Sequence, residues 1–257
     1  MMGGRSSATP SLPGDSFWVD EGVLLAGPYP GAIDRAEAAA KLEAFLDVGI
    51  TTFLDLTEAG EPSPKDGPLQ PYDNLLSEIA ARRGITVRHV RMPIRDVNIP
   101  TTAEMEAILA FIMATIEEQN PIYVHCCGGI GRTGTVVGCL AIETGARPES
   151  VLDDLAALRA GTERGTRRSP ETDEQRQFVR DWAHTCSKHD PAPIEASAWN
   201  PHAIDHYPIF VRSKANHERW DLAVQIAQAT IGEPGLIDGE VLGIARVVYS
   251  NQVQGGE

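Results

Sequence analysis

The 257-residue chain lacks any apolar run of about 18 residues, so we expect no helix that spans a membrane. It has only four cysteines, two of them adjacent, which is too few for a disulfide framework and favours a reducing, cytoplasmic setting. Basic side chains are also scarce, because 22 Lys and Arg face 36 Asp and Glu, for a net charge of −14. So acidic a chain is not expected to bind nucleic acid or an anionic membrane surface.

Strand-like and helix-like segments alternate from about residue 17 to residue 184, within an expected domain of residues 17–187. Residues 1–16 are expected to be a disordered lead-in and not a secretory signal. Apolar or β-branched runs bounded by Gly and Pro predict strands at 23–26, 50–56, 85–92 and 121–125. Helical periodicity and capping signals predict helices at 34–46, 72–83, 105–117, 151–160 and 171–183. The alternation favours an α/β domain with a central, mostly parallel sheet flanked by helices.

The composition changes after this domain. Prolines spaced along a polar stretch predict a linker over residues 188–200. Residues 201–257 are expected to form a small helical C-terminal extension, with helices at 217–231 and 239–249. Two helices bury too little apolar surface to stand alone, so they would pack on the main domain or on a second copy of the chain, giving a homodimer.

Residues 121–140 carry the most informative chemical pattern. A buried-type strand ends at His125, a glycine-rich loop follows, and a helix begins near Arg132. The backbone N–H groups of such a loop point inward at a helix N-terminus and form a cradle for an anion. An arginine at the end of the loop can bind two phosphate oxygens through its planar guanidinium group. The same groups stabilise a thiolate at Cys126, which opens the loop, and make it a ready nucleophile.

The sequence HCCGGIGRTG matches the signature of the cysteine-dependent protein tyrosine phosphatase superfamily. Residues 16–31 and 49–61 resemble the opening strands of its compact dual-specificity branch, and the paired glycines are similar to those of kinase-associated phosphatase-like members. The resemblance covers about residues 17–184. It implies that residues 17–187 are a protein phosphatase domain that hydrolyses phosphomonoesters through a phosphocysteine intermediate.

The resemblance also implies roles for individual residues. Cys126 would be the nucleophile and Arg132 the phosphate clamp, while His125 would orient the loop and Thr133 would stabilise the leaving thiolate. Asp96, in the segment MPIRDVNIPT, would be the general acid, which typically contributes about 10²–10⁴-fold to a rate; the alternative is that Asp96 only caps its loop. The phosphate-binding loop would comprise Cys127, Gly128, Gly129, Ile130, Gly131 and Arg132.

Other segments bear on the substrate. Residues 168–178 resemble the loop that positions the hydrolytic water in tyrosine-specific phosphatases, with Glu171 and Gln175 in the places of its two glutamines. Because the first glutamine is replaced, Asp96 could handle the water alone. No segment matches the family's phosphotyrosine-recognition loop, which implies a shallow site open to phosphoserine and phosphothreonine as well as phosphotyrosine. The loop lacks the lysines of phosphoinositide-specific relatives, so the expected partner is a phosphoprotein or a small phosphomonoester.

No cofactor or metal is expected. His202 and His206 lie four residues apart, but no Cys or acidic partner follows at the spacing of a zinc site. Two other functions stay open: a catalytically inactive module that binds phosphoproteins, and a cysteine-loop sulfurtransferase or arsenate reductase. The nucleophile, clamp and acid are all present, which argues against the first; the second has no obvious relay of redox cysteines. Cys127 could form a reversible disulfide with an oxidised neighbour or could simply pack.

Overall fold

The structure, a computed structural model, describes residues 12–63, 67–186, 194–195 and 236–237. The strands are β1 (Phe17–Asp20), β2 (Leu24–Gly27), β3 (Thr52–Asp55), β4 (Arg88–Arg91), β5 (Ile122–His125), β6 (Ile194–Glu195) and β7 (Leu236–Ile237). The helices are α1 (Arg35–Asp47), α2 (Asp73–Arg83), α3 (Thr102–Glu117), α4 (Gly131–Glu143), α5 (Val151–Arg159) and α6 (Asp173–Cys186). In these residues no helix is both long and apolar enough to cross a membrane.

Five strands form one sheet in the order β1-β2-β5-β3-β4. β1 and β2 are antiparallel, whereas β2, β5, β3 and β4 run parallel, which confirms the predicted α/β fold with a mostly parallel sheet. β5 lies in the middle, and its last residue, His125, is in register with Gly27 of β2 and Asp55 of β3. The loops that follow these parallel strands therefore meet at one edge of the sheet, where ligands bind in open α/β folds.

Helices cover both faces of the sheet. Side chains alternate between the faces along each strand, so apolar residues lie on both of them. Leu24, Leu54 and Val124 pack with apolar residues of α3, α4, α5 and α6. Leu25, Phe53 and Tyr123 point the other way and pack with residues of α1 and α2. The alternation produces the three-layer arrangement of a domain with helices on both sides of a sheet.

The capping signals in the sequence mark helix boundaries where these were expected. The Asp34 side chain accepts a hydrogen bond from Glu37 N at the start of α1. α2 ends at Gly84, whose φ of 67° lies in the left-handed region that glycine adopts readily. At the start of α3, Thr101 and Glu104 form both hydrogen bonds of a capping box. Local sequence therefore determined these boundaries.

The ends of the domain differ from the expected division. Residues 12–16 belong to the ordered part, since Leu12 packs on an apolar cluster and the buried Ser16 donates a hydrogen bond to Pro13 O over 2.7 Å. β6, in the expected linker, pairs with β7, in the extension that was expected to be helical, in an antiparallel ladder that the sequence did not predict. The predicted helices at 217–231 and 239–249 lie outside the described residues.

Candidate active site

The Gly-rich loop between β5 and α4 lies at the carboxyl edge of the sheet. Cys126 follows the last residue of β5 and is buried, with 2% of its surface exposed. Gly129 has a φ of 68°, and a Cβ built there would lie 2.5 Å from Pro28 N, so only glycine fits between this loop and the end of β2. Tyr29 N donates to Cys127 O over 3.1 Å and ties the loop to the same segment.

The far side of the loop is held by residues that follow α5. Ser169 Oγ donates to Ile130 O over 2.7 Å, and Arg164 Nη1 donates to Gly128 O over 3.2 Å. The buried Arg159 guanidinium donates in turn to the main-chain oxygens of Arg164 and Arg167. The main chain of the loop is thus fixed from both sides.

Arg132 is the second residue of α4 and has 1% of its surface exposed. Its two terminal nitrogens bind the two oxygens of the buried Glu61 carboxylate over 2.6 and 2.7 Å. Nη1 also donates to Ile94 O over 3.1 Å. Burial disfavours the charged form of Arg132, but the Glu61 carboxylate, together with Cys126 and Asp96, outweighs it and holds the pKa of the guanidinium above its usual value. The Arg132 guanidinium is therefore always a cation, in a fixed orientation.

Asp96 lies on the loop between β4 and α3, residues 92–101, which we call the acid loop. Its Oδ1 accepts from Arg132 Nη2 over 2.8 Å, while 60% of its side chain remains exposed. In the described part of the chain no backbone N–H donates to this carboxylate, as it would if Asp96 capped its own loop. Arg132 thus brings the predicted acid to the loop that begins with Cys126.

His125, at the end of β5, is completely buried and belongs to a polar network behind the nucleophile. Its Nε2 lies 2.6 Å from the Tyr72 hydroxyl, and its Nδ1 lies 3.9 Å from Asp55 Oδ1. Burial lowers the pKa of His125 to about 4, so the ring is neutral at physiological pH. Asp55 is itself held by hydrogen bonds from Thr57 and Arg91. The network fixes the imidazole that precedes Cys126.

Thr133 and Cys127, the residues next to Arg132 and Cys126, differ in how their side chains are engaged. Thr133 Oγ1 is buried and has no hydrogen-bond partner among the described residues, so the hydroxyl is available to a group that forms during a reaction. Burial raises the pKa of the half-buried Cys127 thiol to about 11, which keeps this sulfur protonated and a poor nucleophile.

The residues expected to position water lie at the start of α6. Gln175 is fully buried, and its carboxamide is hydrogen-bonded to the main chain of Glu171, Thr172 and Asn98. The Glu171 carboxylate accepts from Arg167 Nη2 over 2.9 Å. Glu171 is therefore engaged at the surface, and Gln175 contacts the acid loop.

Glu61 is the functional residue that sequence analysis missed. It belongs to the segment that follows β3, and only the folded chain shows that it faces Arg132. The available signal was a carboxylate just beyond the carboxyl end of a parallel strand, where site residues gather. The described residues contain no group of three or more His, Cys, Asp or Glu that could hold a metal ion.

The chain is similar to known phosphatase domains. Residues 16–192 match the family model described as Swiss Army Knife protein, DSP-PTPase phosphatase domain. The uncharacterized protein MJ0215 of Methanocaldococcus jannaschii is 36% identical over 88 residues, which are 34% of this chain and 50% of that protein. Protein tyrosine phosphatase domain-containing protein 1 of Danio rerio is 25% identical over 133 residues, which are 50% of this chain and 18% of that protein.

A solved structure shares the fold. The crystal structure of PTPMT1 in complex with PI(5)P superimposes with a TM-score of 0.51 at 17% identity, covering 68% of this chain and 97% of that one. The chain spans half the length of MJ0215, and less of the zebrafish protein. On the strength of the family match over residues 16–192, the chain belongs to the Swiss Army Knife family of DSP-type protein tyrosine phosphatase domains.

Proposed function

We propose that the chain is a phosphatase that hydrolyses phosphomonoesters through a phosphocysteine intermediate on Cys126. The observation that carries this proposal is the position of Arg132, which ends the loop that begins with Cys126 and also binds Asp96 over 2.8 Å. Nucleophile, phosphate clamp and acid are thereby linked at one edge of the sheet. This combination suits phosphoryl transfer, in which positioning and charge stabilisation do most of the work.

The first half-reaction would transfer the phosphoryl group to Cys126. The substrate phosphate binds to the loop N–H groups and to Arg132, and the Cys126 thiolate attacks phosphorus. The bond from phosphorus to the leaving oxygen breaks while an S–P bond forms, and protonated Asp96 gives its proton to the leaving oxygen. Asp96 is exposed and sits on a loop, so it can exchange its contact with Arg132 for one with the substrate.

The second half-reaction reverses the proton transfer. The Asp96 carboxylate takes a proton from a water molecule, which attacks phosphocysteine and releases inorganic phosphate as the S–P bond breaks. The unpartnered Thr133 hydroxyl would then donate to the returning thiolate. No step in this scheme requires a metal ion.

For the substrate we propose phosphotyrosine, with phosphoserine and phosphothreonine as further candidates, as in the dual-specificity class. Support comes from the DSP-PTPase description of the matching family and from the missing phosphotyrosine-recognition segment. Cys126, Cys127 and Cys139 form no disulfide within the described residues, which suits a reducing compartment such as the cytoplasm. We also propose a phosphatase domain over residues 17–187, preceded by the ordered residues 12–16, then a linker over residues 188–200 and an extension over residues 201–257. Dimerisation through the extension is measurable by light scattering.

The test is hydrolysis of 4-nitrophenyl phosphate with excess EDTA present. Wild type is expected to release nitrophenolate, and Cys126→Ser to lose at least about 10³-fold of the rate, because a serine hydroxyl is not ionised at neutral pH. Cys127→Ser is the matched control and should retain measurable turnover, since that thiol is protonated. Activity in Cys126→Ser, or activity that EDTA removes, would contradict the mechanism. Tight phosphopeptide binding by an inactive wild type would instead identify a binding module.

A further inference from the structure

The carboxamide of Gln175 lies between the two loops of the site. Gln175 is the third residue of α6 and is fully buried. A Cβ built on Gly131 would come within 3.0 Å of its Oε1 and 3.1 Å of its Nε2, so the carboxamide packs against the start of α4. Its Nε2 donates to Asn98 O over 3.0 Å. The side chain thus touches both the first turn of the helix that carries Arg132 and the acid loop that carries Asp96.

The hydrogen bonds fix which way the carboxamide faces. Oε1 accepts from Glu171 N over 3.1 Å and from Thr172 N over 3.2 Å. With donors on one side and the Asn98 carbonyl on the other, oxygen and nitrogen cannot exchange places. Both lone pairs of Oε1 are used by these N–H groups, so the oxygen cannot accept a hydrogen bond from a hydrolytic water. This argues against the water-positioning role that the family resemblance implied.

The acid loop has few other attachments. In the described part of the chain, residues 95–99 are hydrogen-bonded to the rest of the protein through two contacts, Asp96 with Arg132 and Asn98 with Gln175. The remaining hydrogen bonds of this segment are internal, such as Asn98 N to Arg95 O. When a substrate phosphate binds to Arg132 and displaces Asp96, the first contact is lost. The Gln175 contact then remains to hold the loop over the site.

We propose that Gln175 is a positioning residue for the general acid. By holding the main chain of Asn98, two residues beyond Asp96, it keeps the carboxyl group within reach of the leaving oxygen during the first half-reaction. Gln175 itself touches neither substrate nor reacting atoms. The inference rests on the proposed function, because it concerns the same reaction, and it predicts a defect confined to substrates that need a proton.

Gln175→Glu isolates the contact to the acid loop. The glutamate keeps an acceptor for the N–H groups of Glu171 and Thr172, but it replaces the donor to Asn98 O with an oxygen that repels it. First-turnover rates would be measured with phenyl phosphate, whose leaving group needs protonation, and with 2,4-dinitrophenyl phosphate, whose leaving group does not. We expect a loss of about 10-fold with the first substrate and less than about 3-fold with the second. The inhibition constant of inorganic phosphate should stay within about 3-fold, since the clamp is intact.

Gln177→Glu is the control, because it makes the same chemical change on an exposed position of the same helix and should keep both rates. In an Asp96→Asn background, Gln175→Glu should cost less than about 2-fold more, since the two act on one step. If Gln175→Glu does not fold, judged by circular dichroism, the shorter amide of Gln175→Asn carries the same prediction.

Four results would overturn the inference. Wild-type rates in Gln175→Glu with both substrates, or equal losses with both, would show that Gln175 does not act through the acid. A normal first turnover followed by accumulated phosphocysteine would return Gln175 to the water step. If neither wild type nor Gln177→Glu hydrolyses either substrate, the proposed function fails and the inference fails with it.

Discussion

Gly129 in the phosphate-binding loop and Val97 in the acid loop share an unusual backbone conformation, with φ of 68° and 53°. Their surroundings are opposite. A Cβ at Gly129 would overlap the main chain between β2 and Tyr29, whereas the Val97 side chain is 59% exposed. The same backbone geometry thus requires glycine in one loop, whereas in the other a β-branched residue adopts it at a cost in free energy.

The two loops are held in different ways. The phosphate-binding loop is held by the segment after β2, by α4 and by the segment after α5, so its shape is fixed from both sides. The acid loop is anchored by buried Ile94 and Pro100 at its ends and by two polar contacts between them. In the proposed mechanism Asp96 moves off Arg132 when substrate binds, so a rigid phosphate-binding loop and a loosely held acid loop suit the two tasks.

Gly129→Ala should have the largest effect on stability and activity. The added methyl group has no space beside Gly27 and Pro28, and the left-handed φ adds further strain, so we expect about 3 kcal/mol of lost stability and at least about 10³-fold lower kcat/KM. Gly84→Ala is the matched control, since Gly84 has a φ of 67° but nothing within 4 Å of the new atom. Chemical denaturation and steady-state kinetics measure both. Similar losses in the two variants would mean that φ alone, not packing, constrains the cradle.

Asp96→Asn should remove proton donation from the acid loop and leave phosphate binding to the other loop intact. Asparagine keeps the shape and can still accept from Arg132, but it cannot deliver a proton, so kcat on phenyl phosphate should fall by about 10²-fold or more. Inhibition by inorganic phosphate should change little. An unchanged kcat would require another acid at this site.

The buried imidazole behind the cradle should give a pH signature. His125 has a pKa of about 4 in the folded protein and about 6.5 when unfolded, so between these values the unfolded chain binds the extra proton. Stability is therefore lost as pH falls from 6.5 to 4, by up to about 3 kcal/mol from this group. His125→Gln, which can still pair with the Tyr72 hydroxyl, should lose that part of the slope in denaturation curves at several pH values. Parallel slopes in the two proteins would contradict the assignment.

Val97→Gly should have the smallest effect and the opposite sign to Gly129→Ala. Glycine relieves the left-handed strain, and the exposed valine side chain contributes little packing, so we expect a gain of about 1 kcal/mol in the free energy of unfolding. Ile99→Gly, in the same loop but without a positive φ, should lose stability instead. Equal losses in both variants would show that Val97 is not strained.

Sequence reasoning located the cradle and most of the fold because their signals are local. The capping box at Thr101, the glycine at the end of α2 and the strand-loop-helix pattern around Cys126 each need only neighbouring residues. The order of the strands in the sheet, with β5 between β2 and β3, was not predicted, because no local signal sets it.

Contacts between segments that are distant in the chain could not be predicted from local sequence signals. Glu61 and Arg132 are 71 residues apart, and Asn98 and Gln175 are 77 apart, so no periodicity or spacing connects them. The role of Glu61 as partner of the clamp, and the contact of Gln175 with the acid loop, follow only from the folded chain. Residues 12–16 were likewise assigned to a lead-in, because their placement depends on distant residues rather than on their own composition. Arg164, in the segment after α5, donates its N–H to the Asp15 carboxylate, and Leu12 packs on the apolar cluster that contains Leu25 of β2.

The most direct test of the account is to trap the covalent intermediate. Asp96→Asn can still transfer the phosphoryl group from 2,4-dinitrophenyl phosphate, whose leaving group needs no proton, but it lacks the base that hydrolyses phosphocysteine. Rapid acid quenching followed by peptide mass spectrometry should find one phosphoryl group on Cys126, and none in Asp96→Asn with Cys126→Ser. Release of dinitrophenolate without that adduct, or an adduct on another residue, would contradict the central claim.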